Sequence, residues 1–179
     1  MADGKKRRGR RAWLDDYQAL ANGEIVYTGK TYSYSGSAPW KKGLTALWLP
    51  GVLSGVCVTV CGVIPVSGMR NTFYVILPWL LSFIGAGSVI WALCRLTHHG
   101  EHLKEHVFRA TAAALPVRTV FTAVCAVAAA AGQTVKLILD RGGETPASDA
   151  CFLLLMALAA GGCAALRRRL GSLPFEPRP

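Results

Sequence analysis

The sequence predicts an all-α protein, a four-helix transmembrane bundle with both termini in the cytoplasm (N-in/C-in). A short cytoplasmic N-terminal helix and a β-hairpin are expected ahead of the bundle. Three observations lead there. Four runs of 17–25 residues are apolar, and a helix of about 20 residues crosses the ~30 Å hydrocarbon core at ~1.5 Å per residue. Charged residues make up 17% of the 179, against ~25% in ordinary globular chains, while 52% are apolar even without the 19 glycines. Lysine and arginine are also distributed unevenly among the links between the runs. This composition excludes a disordered chain and fits an ordinary soluble globule poorly.

The head, 1–42, opens on Lys5, Lys6, Arg7, Arg8, Arg10 and Arg11. More than forty polar or mixed residues precede the first apolar run, so no cleavable leader is expected, and the Arg10–Arg11 pair lies too far from an apolar core to be a twin-arginine signal. In front of a membrane span the basic run reads as an orientation signal resting on anionic lipid headgroups, at ~1 kcal/mol per basic residue, rather than as a nucleic-acid patch. Trp13, Leu14, Tyr17, Leu20 and Ala21 then recur at helical spacing, which predicts a short interfacial helix with Asp15, Asp16 and Gln18 on its polar side. Residues 24–34 alternate Tyr, Val, Ile and Thr around Thr28–Gly29–Lys30, the pattern of a β-hairpin. Trp13, Tyr17, Tyr27, Tyr32 and Tyr34 together form the expected interaction surface, facing the headgroup layer or a membrane-protein partner. Trp40, Lys41 and Lys42 mark the entry to the first span.

The membrane domain, 43–166, comprises spans at about 43–66, 73–96, 115–139 and 150–166, the last at the short limit. Small residues recur four apart: Gly51 and Gly55 in the first span, and Ala157, Gly161 and Ala165 in the fourth. Such stripes let helix backbones approach closely, within one bundle or across a homo-oligomer, and packing inside the bundle is the preferred reading. Pro50 and Pro78 each remove one helical hydrogen bond. None of the four spans has an acidic residue in its interior. Arg118 and Lys136 sit near the ends of the third span and are expected to snorkel, Lys136 with Asp140 one turn away. Gln133 is the most polar uncharged residue of that span.

Orientation follows from the basic residues. Seventeen lie in the head, the link between the second and third spans, and the tail 167–179; three lie in the other two links. The positive-inside rule therefore puts both termini and the middle link in the cytoplasm. The outer links are too short to fold as domains. The expected setting is integral to a bacterial plasma membrane.

All four histidines fall within the middle link, His98–His99–Gly100–Glu101–His102–Leu103–Lys104–Glu105–His106. On one helix, His98, His102 and His106 would share a stripe with Glu105 beside it, a donor set suited to Zn²⁺ or another divalent metal. A solvated helical extension of the span is the plainer reading, and Gly100 loosens any such helix. Cys57, Cys61, Cys94, Cys125, Cys151 and Cys163 lie in or beside the spans, without Cys-x-x-Cys spacing, and are expected to act as small apolar residues. No span offers a nucleophile–base pair. The expectation is a non-enzymatic accessory or scaffold subunit of a membrane complex with no cofactor. The alternative is a small channel or transporter for a divalent metal held by His98, His102, Glu105 and His106.

Overall fold

The computed structural model describes residues 17–19, 24–27, 29–36, 39–69, 72–139, 146–171 and 175–178. Strands β1 (Tyr17–Ala19), β2 (Ile25–Tyr27) and β3 (Thr31–Tyr34) precede helix α1 (Trp40–Cys61). A 3-10 turn at Ser67–Met69 leads into α2 (Phe73–His99), followed by β4 (His102–Lys104), the short α3 (Glu105–Ala110), α4 (Leu115–Leu139), α5 (Pro146–Gly171) and β5 (Phe175–Arg178). Among the described residues, four helices are long and apolar enough to cross a membrane: α1, α2, α4 and α5. Helix α1 is the shortest at 22 residues, about 33 Å of helix.

The long helices form a closed ring in which α1 packs on α2, α2 on α4, α4 on α5, and α5 back on α1. Their outward faces carry large apolar side chains. Leu49, Trp91, Val117 and Ile138 are each about 70% exposed, as suits residues whose solvent is hydrocarbon.

The helix limits refine the expected spans. The third matches at 115–139. The first begins at Trp40 and stops at Cys61 rather than near 66, because its last turn gives way to the link through Gly62. The fourth is 26 residues, not short: Pro146 serves its first turn, where no backbone N–H is needed, and Arg167, Arg168 and Arg169 complete its last turns against the negative end of the helix dipole.

Both internal prolines leave a carbonyl that the fold re-engages. Pro50 has no N–H for Ala46 O, and Arg169 Nη1 of α5 donates to that oxygen at 2.6 Å. Pro78 frees Tyr74 O in the same way, and this carbonyl lies against Gly132 of α4, where a Cβ would come within 2.6 Å of it. Gly51 and Gly55 pack inside the bundle as expected, under Leu93 and Ile90 of α2. The stripe Ala157, Gly161 and Ala165 does not. All three are exposed, and the face of α5 that meets α1 includes Ala159 and Gly162, with Gly162 lying directly against Ser54. Ser54 Oγ sits 2.9 Å from Pro50 O and 3.0 Å from Ala159 O, joining α1 to α5. Arg118 bridges two elements at the start of α4: Nη1 donates to Ser88 O of α2 at 2.9 Å and Nη2 to Ala110 O of α3 at 3.3 Å.

At one end of the ring, segments far apart in sequence meet in a three-stranded antiparallel sheet of order β4–β3–β5. Tyr32 is opposite Leu103 on one side and Pro177 on the other. The N-terminal head, the middle link and the tail thus share one sheet, and neither β4 nor β5 was anticipated. Two expectations for the head are corrected. Tyr17–Ala19 is a strand paired with Ile25–Tyr27, not part of a helix. An isolated helix of that length is marginal without tertiary packing. The expected hairpin across Thr28–Gly29–Lys30 also does not close: β2 pairs with β1, whereas β3 pairs with β4 and β5.

Candidate functional site

Two places gather the functional side chains, one at the sheet end of the bundle and one at the opposite end. At the sheet end, period-two alternation in β4 turns Leu103 inward, fully buried, and leaves His102 and Lys104 exposed. Leu103 joins Trp40, Leu47, Leu93, Leu96, Val107, Leu115 and Leu166 in a core on which Tyr32, Tyr34, Phe108 and Phe175 pack. Tyr32 stacks on Phe108 at 4.1 Å between ring centroids. Tyr34 meets Trp40 at 5.3 Å and Phe175 at 6.2 Å. The aromatic rings therefore fasten the sheet to the helices instead of forming the outward surface expected of Tyr32 and Tyr34. Tyr27 is engaged as well: its hydroxyl accepts the Glu105 N–H at 3.2 Å and donates to Lys30 O at 3.3 Å. Tyr17 is placed at a strand position, and Trp13 lies outside the described residues, as do Lys5, Lys6, Arg7, Arg8, Arg10, Arg11 and Asp140.

The histidines do not share a helical stripe. His98 is on the last turn of α2, Gly100 breaks the helix with φ of 69°, His102 is on β4, and Glu105 and His106 begin α3. The reason is Gly100, which adopts a left-handed conformation most residues avoid, so the chain reverses into a strand. The ring of His98 faces His99 at 5.5 Å, and that of His106 faces Tyr27 at 6.5 Å. The Glu105 carboxylate takes Arg109 Nη2 at 2.6 Å. Among the described residues, no three His, Cys, Asp or Glu side chains lie close enough together to hold a metal. The six cysteines are free thiols.

At the opposite end, the buried Gln133 of α4 and Asp149 of α5 meet the half-buried Ser67 of the 3-10 turn. Asp149 Oδ1 accepts the Ser67 N–H at 3.1 Å and Gln133 Nε2 at 3.0 Å, and Ser67 Oγ stands 3.1 Å from both carboxylate oxygens. Gly68 admits the Gln133 amide, since any Cβ there would collide with Gln133 Oε1. Asp149 was missed because the fourth span was expected to begin at 150. Pro146, a good first helical residue, is the signal that moves the start back and draws an acid into the bundle. The cluster binds the α1–α2 link to α4 and α5, and it is the one place in the described bundle where a carboxylate is buried.

No protein-family model, no curated protein and no solved structure matches this chain.

Proposed function

We propose that the protein is a non-enzymatic integral membrane subunit that presents a cytoplasmic platform to a partner in a membrane complex. The observation that carries this reading is the sheet β4–β3–β5, which draws the head, the middle link and the tail into one surface. These are the three segments that hold seventeen of the twenty basic residues. In a bacterial plasma membrane the positive-inside rule sets that surface in the cytoplasm, with the basic run against anionic headgroups. The outer strands β4 and β5 leave sheet edges on which an extended segment of another chain can pair, with main-chain hydrogen bonds supplying affinity.

The test is purification from native membranes in mild detergent, with the co-purifying proteins identified and their stoichiometry recorded. A stoichiometric foreign subunit is expected. It should be lost from the double variant Tyr32→Ala, Phe108→Ala, which removes the stacked pair under the sheet while the four helices still insert. Recovery of the protein alone, or a partner retained undiminished by the variant, would overturn the reading.

A further inference from the structure

The outward face of α1 carries a continuous track from a basic end to an apolar cavity. At the sheet end, Lys41 and Lys42 are exposed and border a shallow hollow with Thr45, Ala46 and Leu49. Arg169 of α5 comes to the same place, because its guanidinium donates to the Ala46 carbonyl. Cationic groups from two helices thus meet at one hollow. Thr45 and Leu49 also belong to the next stretch of the track, which continues past Trp48 to Val52 and Val56. These positions recur three and four apart, so they form a single stripe along the helix.

Val52 and Val56 in turn line a cavity of about 460 Å³ between α1 and α2, walled also by Val60, Phe83 and Gly87. Gly87 keeps it open, since nothing lies within 4 Å of where its Cβ would stand. Ligand pockets fall in the range of about 300–1,000 Å³. The depth of the cavity follows from the helix rise. Val52 is ten residues beyond Lys42, about 15 Å, which is half of the ~30 Å hydrocarbon core. A chain entering beside Lys42 therefore crosses one leaflet before it reaches the cavity.

We propose that this track seats one anionic phospholipid, with its phosphate among Lys41, Lys42 and Arg169 and one acyl chain along the stripe 45–56. The end of that chain fills the cavity between α1 and α2. An apolar molecule makes no use of the basic end, and a small anion makes none of the apolar track; an amphiphile with a negative head uses both. Basic pockets between transmembrane helices hold such headgroups. Inside hydrocarbon the chain gains nothing from leaving water, so its residence rests on dispersion contacts within the cavity. The headgroup supplies the selectivity for charge. The inference stands apart from the platform reading and survives its failure.

The experiment titrates the full chain in mild detergent with dioleoyl phosphatidylglycerol or dioleoyl phosphatidylcholine and reads the first lipid adduct by native mass spectrometry. Phosphatidylglycerol is expected to bind about tenfold or more tightly than phosphatidylcholine, whose chains are identical. Lys41→Gln with Lys42→Gln should weaken phosphatidylglycerol by roughly 10- to 30-fold. Lys5→Gln with Lys6→Gln removes the same charge from the head and should change it by less than about twofold. Gly87→Leu fills the cavity from an open position and should lower the affinity several-fold while the protein stays folded. Equal binding of the two lipids, equal losses in the two lysine pairs, or undiminished binding by Gly87→Leu would overturn the seat. If the Lys41 and Lys42 variant fails to fold, lipid selectivity of the wild type and the Gly87→Leu affinity decide by the same criteria.

Discussion

Single glycines do unlike work in this bundle, and the difference is measurable. Gly68 faces Gln133 Oε1 so closely that a methyl group there must shift the amide that donates to Asp149. Gly68→Ala is therefore expected to cost about 1–3 kcal/mol, the penalty of disturbing a buried hydrogen bond, seen as a lower melting temperature in detergent. Gly87 of α2 has nothing within 4 Å of where its Cβ would be. Gly87→Ala should leave stability unchanged or raise it by up to ~1 kcal/mol, the helix-propensity difference. Equal losses at both positions would show that the Gln133 contact is not what Gly68 protects. Gly68 and Gln133 were both readable as residues in the chain, but their contact joins a link turn to a helix four elements later. No spacing rule reaches that far.

At the scale of the element, the prolines explain contacts that helix propensity alone does not. Arg169 donates to the carbonyl that Pro50 leaves open, so the two substitutions should couple. Arg169→Met alone is expected to cost about 1 kcal/mol, and markedly less in a Pro50→Ala background, where the restored N–H satisfies Ala46 O. A double-mutant cycle of melting temperatures checks this; strictly additive effects would exclude the coupling. The pairing of α5 with α1 makes a second contrast. Gly162→Leu must force Ser54 and the Pro50 carbonyl apart and should destabilise the bundle strongly, whereas Gly161→Leu enters open space and should be tolerated. The small-residue period in α5 was legible from sequence, but not which of two adjacent faces would use it. Ala157, Gly161 and Ala165 obey the spacing rule as well as Ala159 and Gly162 fit the contact. The hydroxyl of Ser54 on the neighbouring helix selects the second face.

For the whole molecule, the four long helices leave β3, which precedes them, and β5, which follows them, at one end of the bundle, where the β4–β3–β5 sheet joins them. A cysteine introduced at Glu176 should be labelled by impermeant reagents only in inverted or opened membranes, while one placed at 141–145 should react in intact cells. The reverse pattern would refute the orientation derived from the basic residues. The sheet also sets how far its tyrosines are engaged within the chain. Tyr32 and Tyr34 anchor it to Phe108 and Trp40, so the residues that the proposed platform would offer to a partner include the exposed His102 of β4 and Glu176 of β5.

The chain by itself determined the four apolar helices, including the limits of α4, because span length and hydropathy are local properties that the bilayer thickness reads directly. It also determined the basic asymmetry from which orientation is argued. Only the tertiary structure decided the partners of the strands, the face of α5 that packs, the separation of His98 from His102 and His106, and the meeting of Ser67, Gln133 and Asp149. Those outcomes depend on pairings between distant segments. Short strands such as His102–Lys104 carry too few residues for a periodic signal, and a buried carboxylate is recognisable only once the side chains that enclose it are known.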